Sequence, residues 1–173
     1  LSARHDAEVR YNSLVEGIDK AITLQDRQGR VHYMNAAASR IYGIGGDERI
    51  HREPDWNDWL VVDEDGRFLP FEAHPASRAL ATGQAVSSKV IGLFRRSTQR
   101  LLWLSVTAVP QFAPGADHAD MVLTLSSDIT DLQRDKALFD RVQELAQIGG
   151  WQWGRASGAV YLTREAHRIL GAA

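Results

Sequence analysis

The side chains best suited to chemistry in this sequence are a histidine and an arginine four residues apart, His74 and Arg78. In a helix that spacing places both side chains on one face. If they point inward, the imidazole and the guanidinium could hold a carboxylate or a phosphate group. If they point outward, they form an ordinary solvated surface, and the sequence leaves both alternatives open.

Patterns typical of catalysis or metal binding are missing elsewhere. The six histidines are scattered, and the sequence has no His-Glu-x-x-His pair, no Walker-type phosphate loop and no Gly-x-Ser-x-Gly elbow. It contains no cysteine, which excludes disulfides, thiolate zinc sites and cysteine nucleophiles. The run 63–66, Asp-Glu-Asp-Gly, lacks the spacing of a calcium loop and predicts a solvated turn. We therefore predict no catalytic residue and no metal site.

Composition agrees with a soluble module, which we expect to be cytoplasmic, but it does not identify a role. The 173 residues, 44% of them apolar, are enough for one core with some chain left over. A net charge of -2 gives no electrostatic footprint for nucleic acid. The longest apolar run, Leu101 to Val109, is too short to span a membrane, and no signal peptide is visible. The chain starts without Met and stops in mid-pattern, so we expect it to be a piece of a longer protein.

The elements that must position these side chains begin with a strand, a turn, a second strand and a capped helix. Two short apolar runs flank a turn in which Asp26 can bond the backbone ahead of it and Gly29 can take positive φ. Asn35 then caps a helix that ends at Gly43. The predicted segments are strands over 21–24 and 31–34 and a helix over 36–42.

Further along the chain, the pattern predicts one more helix and three more strands. Pro70 near its start and Gly83 at its end bound a helix over 71–82. The segment from His51 to Leu60 reads as polar and irregular, with two tryptophans able to share a helical face. Late strands are predicted over 85–94, 100–111 and 119–128. The result is an α+β fold, a five-stranded antiparallel sheet backed on one face by short helices.

Two motifs in these segments resemble the bacterial PAS domain family. The first is Asp26-x-x-Gly29-x-Val31-x-x-x-Asn35, followed by Ile-Tyr-Gly at 41–43. The second lies about a hundred residues on, where an apolar strand runs into Asp128-Ile129-Thr130, similar to the Asp-Ile-Thr ending of PAS domains. We take Asp26, Gly29, Asn35, Asp128 and Thr130 as the motif residues.

The resemblance divides the chain into four parts. Residues 1–19 form an N-terminal amphipathic helix, either a lid on its own domain or a dimer contact, and residues 20–130 form the PAS domain. Residues 131–147 form a linker helix whose apolar spacing suits a signalling helix paired in a dimer, with packing on the sheet as the alternative. Residues 148–173 repeat the opening order and resemble the start of a second PAS domain of the Gly-x-Trp-x-Trp type. We expect this last part to be poorly ordered or to pack against a partner chain.

PAS domains hold small molecules between the inner face of the sheet and the helices, so the resemblance implies a ligand cavity here. Trp103, Ser105 and Thr107 share one face of their strand and Leu102, Leu104 and Val106 share the other, and a shift of one residue would exchange the two sets. We take the first set as candidates for the cavity face. Plain core packing is the alternative for the aromatic residues. The candidate lining residues are Tyr42, Trp56, Trp59, Phe71, His74, Arg78, Val90, Phe94, Trp103, Ser105, Thr107 and Thr124.

The sequence does not identify a cofactor, and a domain that binds no cofactor is one of the alternatives. Haem PAS domains use a histidine on the helix that corresponds to the segment carrying His74, which makes haem one alternative. Flavin photoreceptors of the LOV type need a signature cysteine that this sequence lacks. Non-covalent flavin is the remaining possibility.

The function that the resemblance implies is sensing and signal transduction without catalysis. A small ligand would bias the linker helix, and through it a histidine kinase or a cyclic-di-GMP enzyme in the same polypeptide, with the flanking helices forming a homodimer. The alternatives are a ligand-free dimerisation or spacer module and a haem-based gas sensor. The run Gly-Gly-Asp-Glu at 45–48 resembles the diguanylate cyclase signature, but Arg49 replaces the expected Phe and we interpret the run as a helix exit.

Overall fold

The computed structural model describes residues 15–44 and 57–171, and the chain divides into two compact units, Leu1–Ile129 and Thr130–Ala173. Three sequence-based expectations lie outside the described residues. They are most of the N-terminal helix, the Gly-Gly-Asp-Glu run and the placement of Trp56.

The first unit is built on one six-stranded antiparallel sheet with two short α-helices. The strands are β1 (Ala21–Asp26), β2 (Val31–Met34), β3 (Trp59–Val62), β4 (Val86–Arg95), β5 (Arg100–Gln111) and β6 (Met121–Asp128). The helices are α1 (Ala36–Tyr42) and α2 (Pro75–Thr82). In the sheet the strands follow the order β2-β1-β6-β5-β4-β3, and every neighbouring pair is antiparallel. The predicted α+β class is confirmed.

The turn between β1 and β2 forms as the sequence predicts. Gly29 has φ of 78°, which only glycine adopts easily, and its N–H donates to the Asp26 carbonyl at 3.0 Å. The Asp26 carboxylate accepts from the backbone N–H groups of Gln28 and Arg30 at 2.9 and 3.0 Å. The aspartate thus satisfies turn donors that would otherwise lack partners.

Asn35 joins three segments through a fully buried carboxamide. Its Oδ1 accepts from the N–H of Ile22 on β1 and from the N–H of Ala38 in α1, both at 2.9 Å. Its Nδ2 donates to the carbonyls of Val15 and Lys20 at 3.1 and 3.0 Å. All four hydrogen-bonding positions of the amide are used, so the predicted N-cap also fixes the first strand against the helix.

The predicted count of five strands is wrong, because Trp59–Val62 forms a sixth strand at the sheet edge. Trp59 pairs with Arg95 and Val62 with Gly92 on β4. Sequence reasoning assigned the start of this run to an irregular segment, although Trp-Leu-Val-Val is a β-favouring sequence. The predicted solvated turn follows it, with the Gly66 N–H donating to the Asp63 carbonyl at 3.0 Å.

The helix predicted over 71–82 is broken near its start. Residues Phe71–Ala73 form one turn of 3-10 helix, and α2 begins only at Pro75. His74 between them has ψ of 144°, an extended conformation. A residue before proline avoids the α region because the proline ring crowds it, which separates His74 from the regular helix.

Both helices pack on one face of the sheet, which we call the inner face. Ala79 and Leu80 of α2 pack with Ala108 and Val122, and Ala38 of α1 packs with Ala21 and Met34. On β5 the buried residues of this face alternate with half-buried ones, and they are Leu102, Leu104, Val106 and Ala108. The period of two fixes which side chains of β5 and β6 can meet a ligand.

The second unit contains a long helix, a hairpin and a short helix. They are α3 (Thr130–Ala146), β7 (Trp151–Trp153), β8 (Val160–Leu162) and α4 (Arg164–Leu170). Thr163 caps α4, and its Oγ1 also accepts from the Gly150 N–H at 2.9 Å. The predicted order of strand, strand and helix is present, but its assignment to a second PAS domain and to a partner contact stays a prediction.

We predict that Asn35→Ala lowers the free energy of unfolding by about 3 kcal/mol, because the variant loses the cap and leaves the N–H groups of Ile22 and Ala38 without their buried acceptor. Urea denaturation of both proteins measures the difference. Gln28→Ala, an exposed change in the neighbouring turn, is the control and should stay within about 0.5 kcal/mol of the parent. A loss below about 1 kcal/mol for Asn35→Ala would contradict the joining role of this side chain.

Candidate functional site

A cavity of about 370 Å³ lies between the inner face of the sheet and the helices of the first unit. Its volume falls within the range of small-molecule sites, which runs from roughly 300 to 1,000 Å³. Most of the wall is apolar. The larger aliphatic contributors from the sheet and α2 are Val31, Met34, Val61, Leu80, Ile91, Leu93, Leu104 and Val106.

Among the polar side chains of this wall are four hydroxyl groups of β1, β6 and α1, which we call the hydroxyl row: Thr23, Thr124, Ser126 and Tyr42. Thr23 of β1 stands directly opposite Thr124 of β6, and their Oγ1 atoms lie 2.6 Å apart. Tyr42 at the end of α1 donates its O–H to the Ser126 Oγ at 3.2 Å. The three aliphatic hydroxyl residues are at most 5% exposed, so these polar groups are buried within an apolar chamber.

Burial also shifts the chemistry of two ring side chains of the cavity. It raises the pKa of Tyr42 above its usual range, against the opposing effect of the Ser126 hydrogen bond, so the phenol remains a donor. Burial lowers the pKa of His74, although the Leu69 carbonyl and the charge of Glu72 oppose the shift. His74 Nε2 lies 3.1 Å from the Leu69 carbonyl oxygen. The imidazole is therefore neutral at pH 7 and its Nε2 is directed at the backbone.

Asp26 lies at the rim of the cavity within a compact charged network. Besides its two backbone donors, its Oδ2 accepts from Arg30 Nε at 2.9 Å and lies 2.9 Å from His32 Nε2. Burial alone would raise the pKa of Asp26, but the hydrogen bonds from His32, Arg30 and Gln28 outweigh it and lower the pKa to about 2.

Five of the twelve predicted lining residues border the cavity. They are Tyr42, Trp59, Phe71, His74 and Thr124. Trp59 comes from the edge strand β3 and carries the Arg95 guanidinium over its ring, 5.2 Å from the ring centre. Trp56 lies outside the described residues. The other six do not border the cavity, and they are Arg78, Val90, Phe94, Trp103, Ser105 and Thr107.

The face assigned to β5 was therefore wrong by one residue. Leu104 and Val106 point into the cavity, and Trp103, Ser105 and Thr107 lie on the outer face with Val90 and Phe94 of β4. The residue opposite Trp103 is Gly92, where an added Cβ would lie 3.1 Å from the indole ring. The missing side chain leaves room for the tryptophan on the outer face.

Arg78 and His74 do not form a shared anion site. Arg78 is exposed on α2, while His74 precedes the helix in an extended conformation. The four-residue spacing places side chains together only when both belong to the same regular helix. Of the two alternatives left open for this pair, the inward-facing one, a shared carboxylate or phosphate site, is not formed.

Two members of the hydroxyl row, Ser126 and Thr23, were missed from the sequence, although a signal for one was present. Ser126 lies two residues beyond Thr124 on β6, so the period of two places both on the same face. Thr23 could be found only through its pairing with Thr124, which a single sequence does not reveal.

Comparison with known proteins identifies the family. A family model described as PAS fold matches residues 15–134, more than half of the chain. The chain belongs to the PAS family. The comparison with curated protein sequences found no match.

Solved PAS structures share the fold at low sequence identity. The PAS domain of nitrogen regulation protein NR(II) from Vibrio parahaemolyticus is 16% identical, with a TM-score of 0.51 over 68% of this chain and 96% of that domain. A PAS domain from Colwellia psychrerythraea is 16% identical, with a TM-score of 0.53 over 72% of this chain and 98% of that one. An RNA-binding Light-Oxygen-Voltage receptor is 22% identical, with a TM-score of 0.57 over 80% of this chain and 38% of the receptor.

The PAS motif residues serve structural roles around the cavity. Asp26 and Gly29 build the turn at its rim, and Asn35 anchors the helix that carries Tyr42. Asp128 ends β6 and Thr130 begins α3. Asp26, Gly29 and Asn35 thus hold parts of the cavity wall in place.

The described residues, 15–44 and 57–171, contain neither a cluster of metal-binding side chains nor a membrane-spanning helix. No group of three or more His, Cys, Asp or Glu side chains among them could hold a metal ion. No helix within the same ranges combines the length and the apolar character needed to cross a membrane.

We predict that the PAS domain loses about 2 kcal/mol of its free energy of unfolding between pH 4 and pH 2 through Asp26 alone. The folded pKa of about 2 lies below the ordinary value of 3.8, so the contribution is complete above the ordinary value and is lost as the pH falls through the folded one. Urea unfolding at several pH values, compared with Asp26→Asn, isolates this contribution.

The neighbouring Gln28→Ala variant keeps the backbone N–H that Asp26 accepts and serves as the matched control for this pH series. It should follow the acid dependence of the parent, and Asp26→Asn should follow a flatter one. Parallel curves for the parent and Asp26→Asn would show that the network does not stabilise the folded state.

Proposed function

We propose that this PAS domain is a cytoplasmic sensory module that binds a small molecule in its cavity and relays occupancy through α3 to an effector in the same polypeptide. The observation that carries the proposal is the position of the hydroxyl row. Thr124 and Ser126 line the cavity on β6, and this strand ends at Asp128, two residues before the first residue of α3.

The route from the cavity to the exit helix is short and well defined. Ser126 accepts a hydrogen bond from Tyr42 at 3.2 Å, so a ligand that binds Ser126 acts at the contact between α1 and β6. Immediately after β6, the N–H of Ile129 donates to the Trp103 carbonyl at 2.8 Å and holds the exit of the strand to β5. A ligand that alters β6 would change the populations of two arrangements at this exit, as a sensor requires.

Exposed apolar residues on the linker helix α3 are the evidence for a homodimer formed through the flanking helices. The apolar residues of α3 are more than half exposed, and they are Leu132, Leu138, Phe139, Val142 and Leu145. Leu138, Val142 and Leu145 recur at intervals of four and three, the spacing of a coiled-coil seam. We infer that a second copy of the helix covers them. Resemblance to bacterial PAS proteins favours a histidine kinase or a cyclic-di-GMP enzyme as the effector.

The same exposed residues favour a second candidate function, a ligand-free dimerisation or spacer module. In that case the cavity would be a packing defect and α3 the functional part. The haem alternative draws no support from the site, because the His74 Nε2 that would ligate iron is directed at the Leu69 carbonyl. Occupancy of the cavity separates the first two candidates.

Native mass spectrometry of the purified chain, beside its denatured mass and an absorption spectrum, tests the proposal. We expect a dimer with extra mass that disappears on denaturation. Val106→Phe places a ring on the cavity floor and should remove the extra mass, because Val106 borders the cavity and is 5% exposed. Val109→Phe, on the outer face of the same strand, is the matched control and should retain it.

Equal native and denatured masses per chain, with the dimer intact, would contradict a bound ligand and favour the spacer module. Extra mass that survives Val106→Phe would place the ligand outside the cavity. Absorption in the visible range would identify haem or flavin and would contradict a colourless small molecule.

A further inference from the structure

The hydroxyl row has more donor hydrogens than its own hydrogen bonds use. Each of its four hydroxyl groups has one hydrogen to donate. One hydrogen is used between Thr23 and Thr124, and the Tyr42 hydrogen is donated to Ser126. Gln25 Nε2 also donates to the Thr23 oxygen at 3.1 Å, so it supplies no acceptor there.

Two hydroxyl hydrogens of the cavity wall are therefore not used in these hydrogen bonds. One belongs to the pair formed by Thr23 and Thr124, whichever of the two donates to the other, and the second belongs to Ser126. Within the described parts of the chain neither hydrogen meets an acceptor. Leaving a buried donor unpaired costs about 1 to 3 kcal/mol, so an oxygen atom from a ligand would be bound with a gain.

The charged side chains that border the cavity are engaged in hydrogen bonds or exposed. Asp26 is paired with Arg30 and His32. Arg27 donates its Nε to the Ala119 carbonyl at 2.8 Å and is exposed, as is Glu72. In the ranges that the structure describes, no cation reaches the hydroxyl row, so an anionic group bound there would be buried without compensation.

We propose that the cavity selects an uncharged, largely apolar molecule with one oxygen acceptor, a carbonyl or a hydroxyl, that takes hydrogen bonds from Ser126 and from the Thr23–Thr124 pair. The apolar wall contacts the body of the molecule, and the hydroxyl row fixes its orientation. This inference rests on the proposed function, because it requires that the cavity bind a small molecule at all.

The hydrogen bonds to the acceptor also connect the ligand directly to β6. Ser126 and Thr124 both belong to β6, so an oxygen bound between them adds hydrogen bonds to the strand that leads into α3. A hydrocarbon of the same size would fill the cavity without these bonds. Ligand binding and ligand signalling then depend on the same two side chains.

Three probes of equal size test the selectivity. They are the uncharged molecules acetophenone and α-methylstyrene and the anion benzoate. The first two differ only in a carbonyl oxygen replaced by a methylene group, and the third carries a carboxylate. Titrations followed by the amide and methyl NMR signals of the cavity residues in the full chain give the dissociation constants. We expect acetophenone to bind about tenfold more tightly than α-methylstyrene, and benzoate to bind more weakly than either.

Ser126→Ala removes one donor and should reduce the preference for acetophenone over α-methylstyrene to about twofold. Ser105→Ala is the matched control, the same change on the outer face of the neighbouring strand, and should keep the tenfold preference. The comparison of probes on the unaltered protein keeps the test decisive even if Ser126→Ala folds poorly.

The outcomes distinguish a failure of the proposed selectivity from a failure of the proposed ligand binding. Equal affinity for acetophenone and α-methylstyrene, or tighter binding of benzoate, would overturn the selectivity and leave a ligand-binding cavity. No shift at any cavity residue with all three probes would overturn the proposed binding function and this inference with it.

Discussion

A single buried carboxamide, that of Asn35, determines how the parts of the cavity are brought together. It bonds the backbone of β1, the first turn of α1 and the segment that enters β1, and no water is needed to complete its hydrogen bonds. Because α1 starts at this point and runs for two turns, Tyr42 at its other end reaches Ser126 across the sheet. The position of the polar end of the cavity thus depends on a residue that does not line it.

The second constraint is the alternation of side chains along β5 and β6. From Leu102 to Ala108 every second residue of β5 presents an apolar side chain to the inner face, whereas two of the inward residues of β6 are Thr124 and Ser126. Apolar residues at these two positions would stabilise the core, since buried hydroxyl groups carry a desolvation cost. A departure from the apolar pattern that is clustered in one cavity and on one strand is typical of a functional site.

Local signals predicted the parts of the fold that depend on neighbours in sequence. The turn at Asp26 and Gly29, the cap at Asn35 and the helix stop at Gly43 follow from backbone chemistry within a few residues, and all are present. Two errors arose where a distant partner decides the outcome. The strand at Trp59 forms because β4 offers a free edge, and Trp103 faces outward because Gly92 lies opposite it.

The polar end of the cavity was only partly predictable for the same reason. Thr124 was found from its strand, and Ser126 could have been found from the same period of two. Thr23 required knowledge that β1 pairs with β6, a contact across about a hundred residues of sequence that a motif does not encode. The contents of the cavity depend on such pairings, which explains why the family could be inferred from motifs while the lining residues could not.

A high-resolution crystal structure of the chain as purified tests the central claim most directly, that the hydroxyl row binds the oxygen of a small molecule within the cavity. The account predicts electron density larger than water in the cavity, with an oxygen atom within about 3 Å of Ser126 Oγ or of a hydroxyl of the Thr23–Thr124 pair. A closed cavity filled by the protein's own side chains, or one that holds only disordered water, would contradict it.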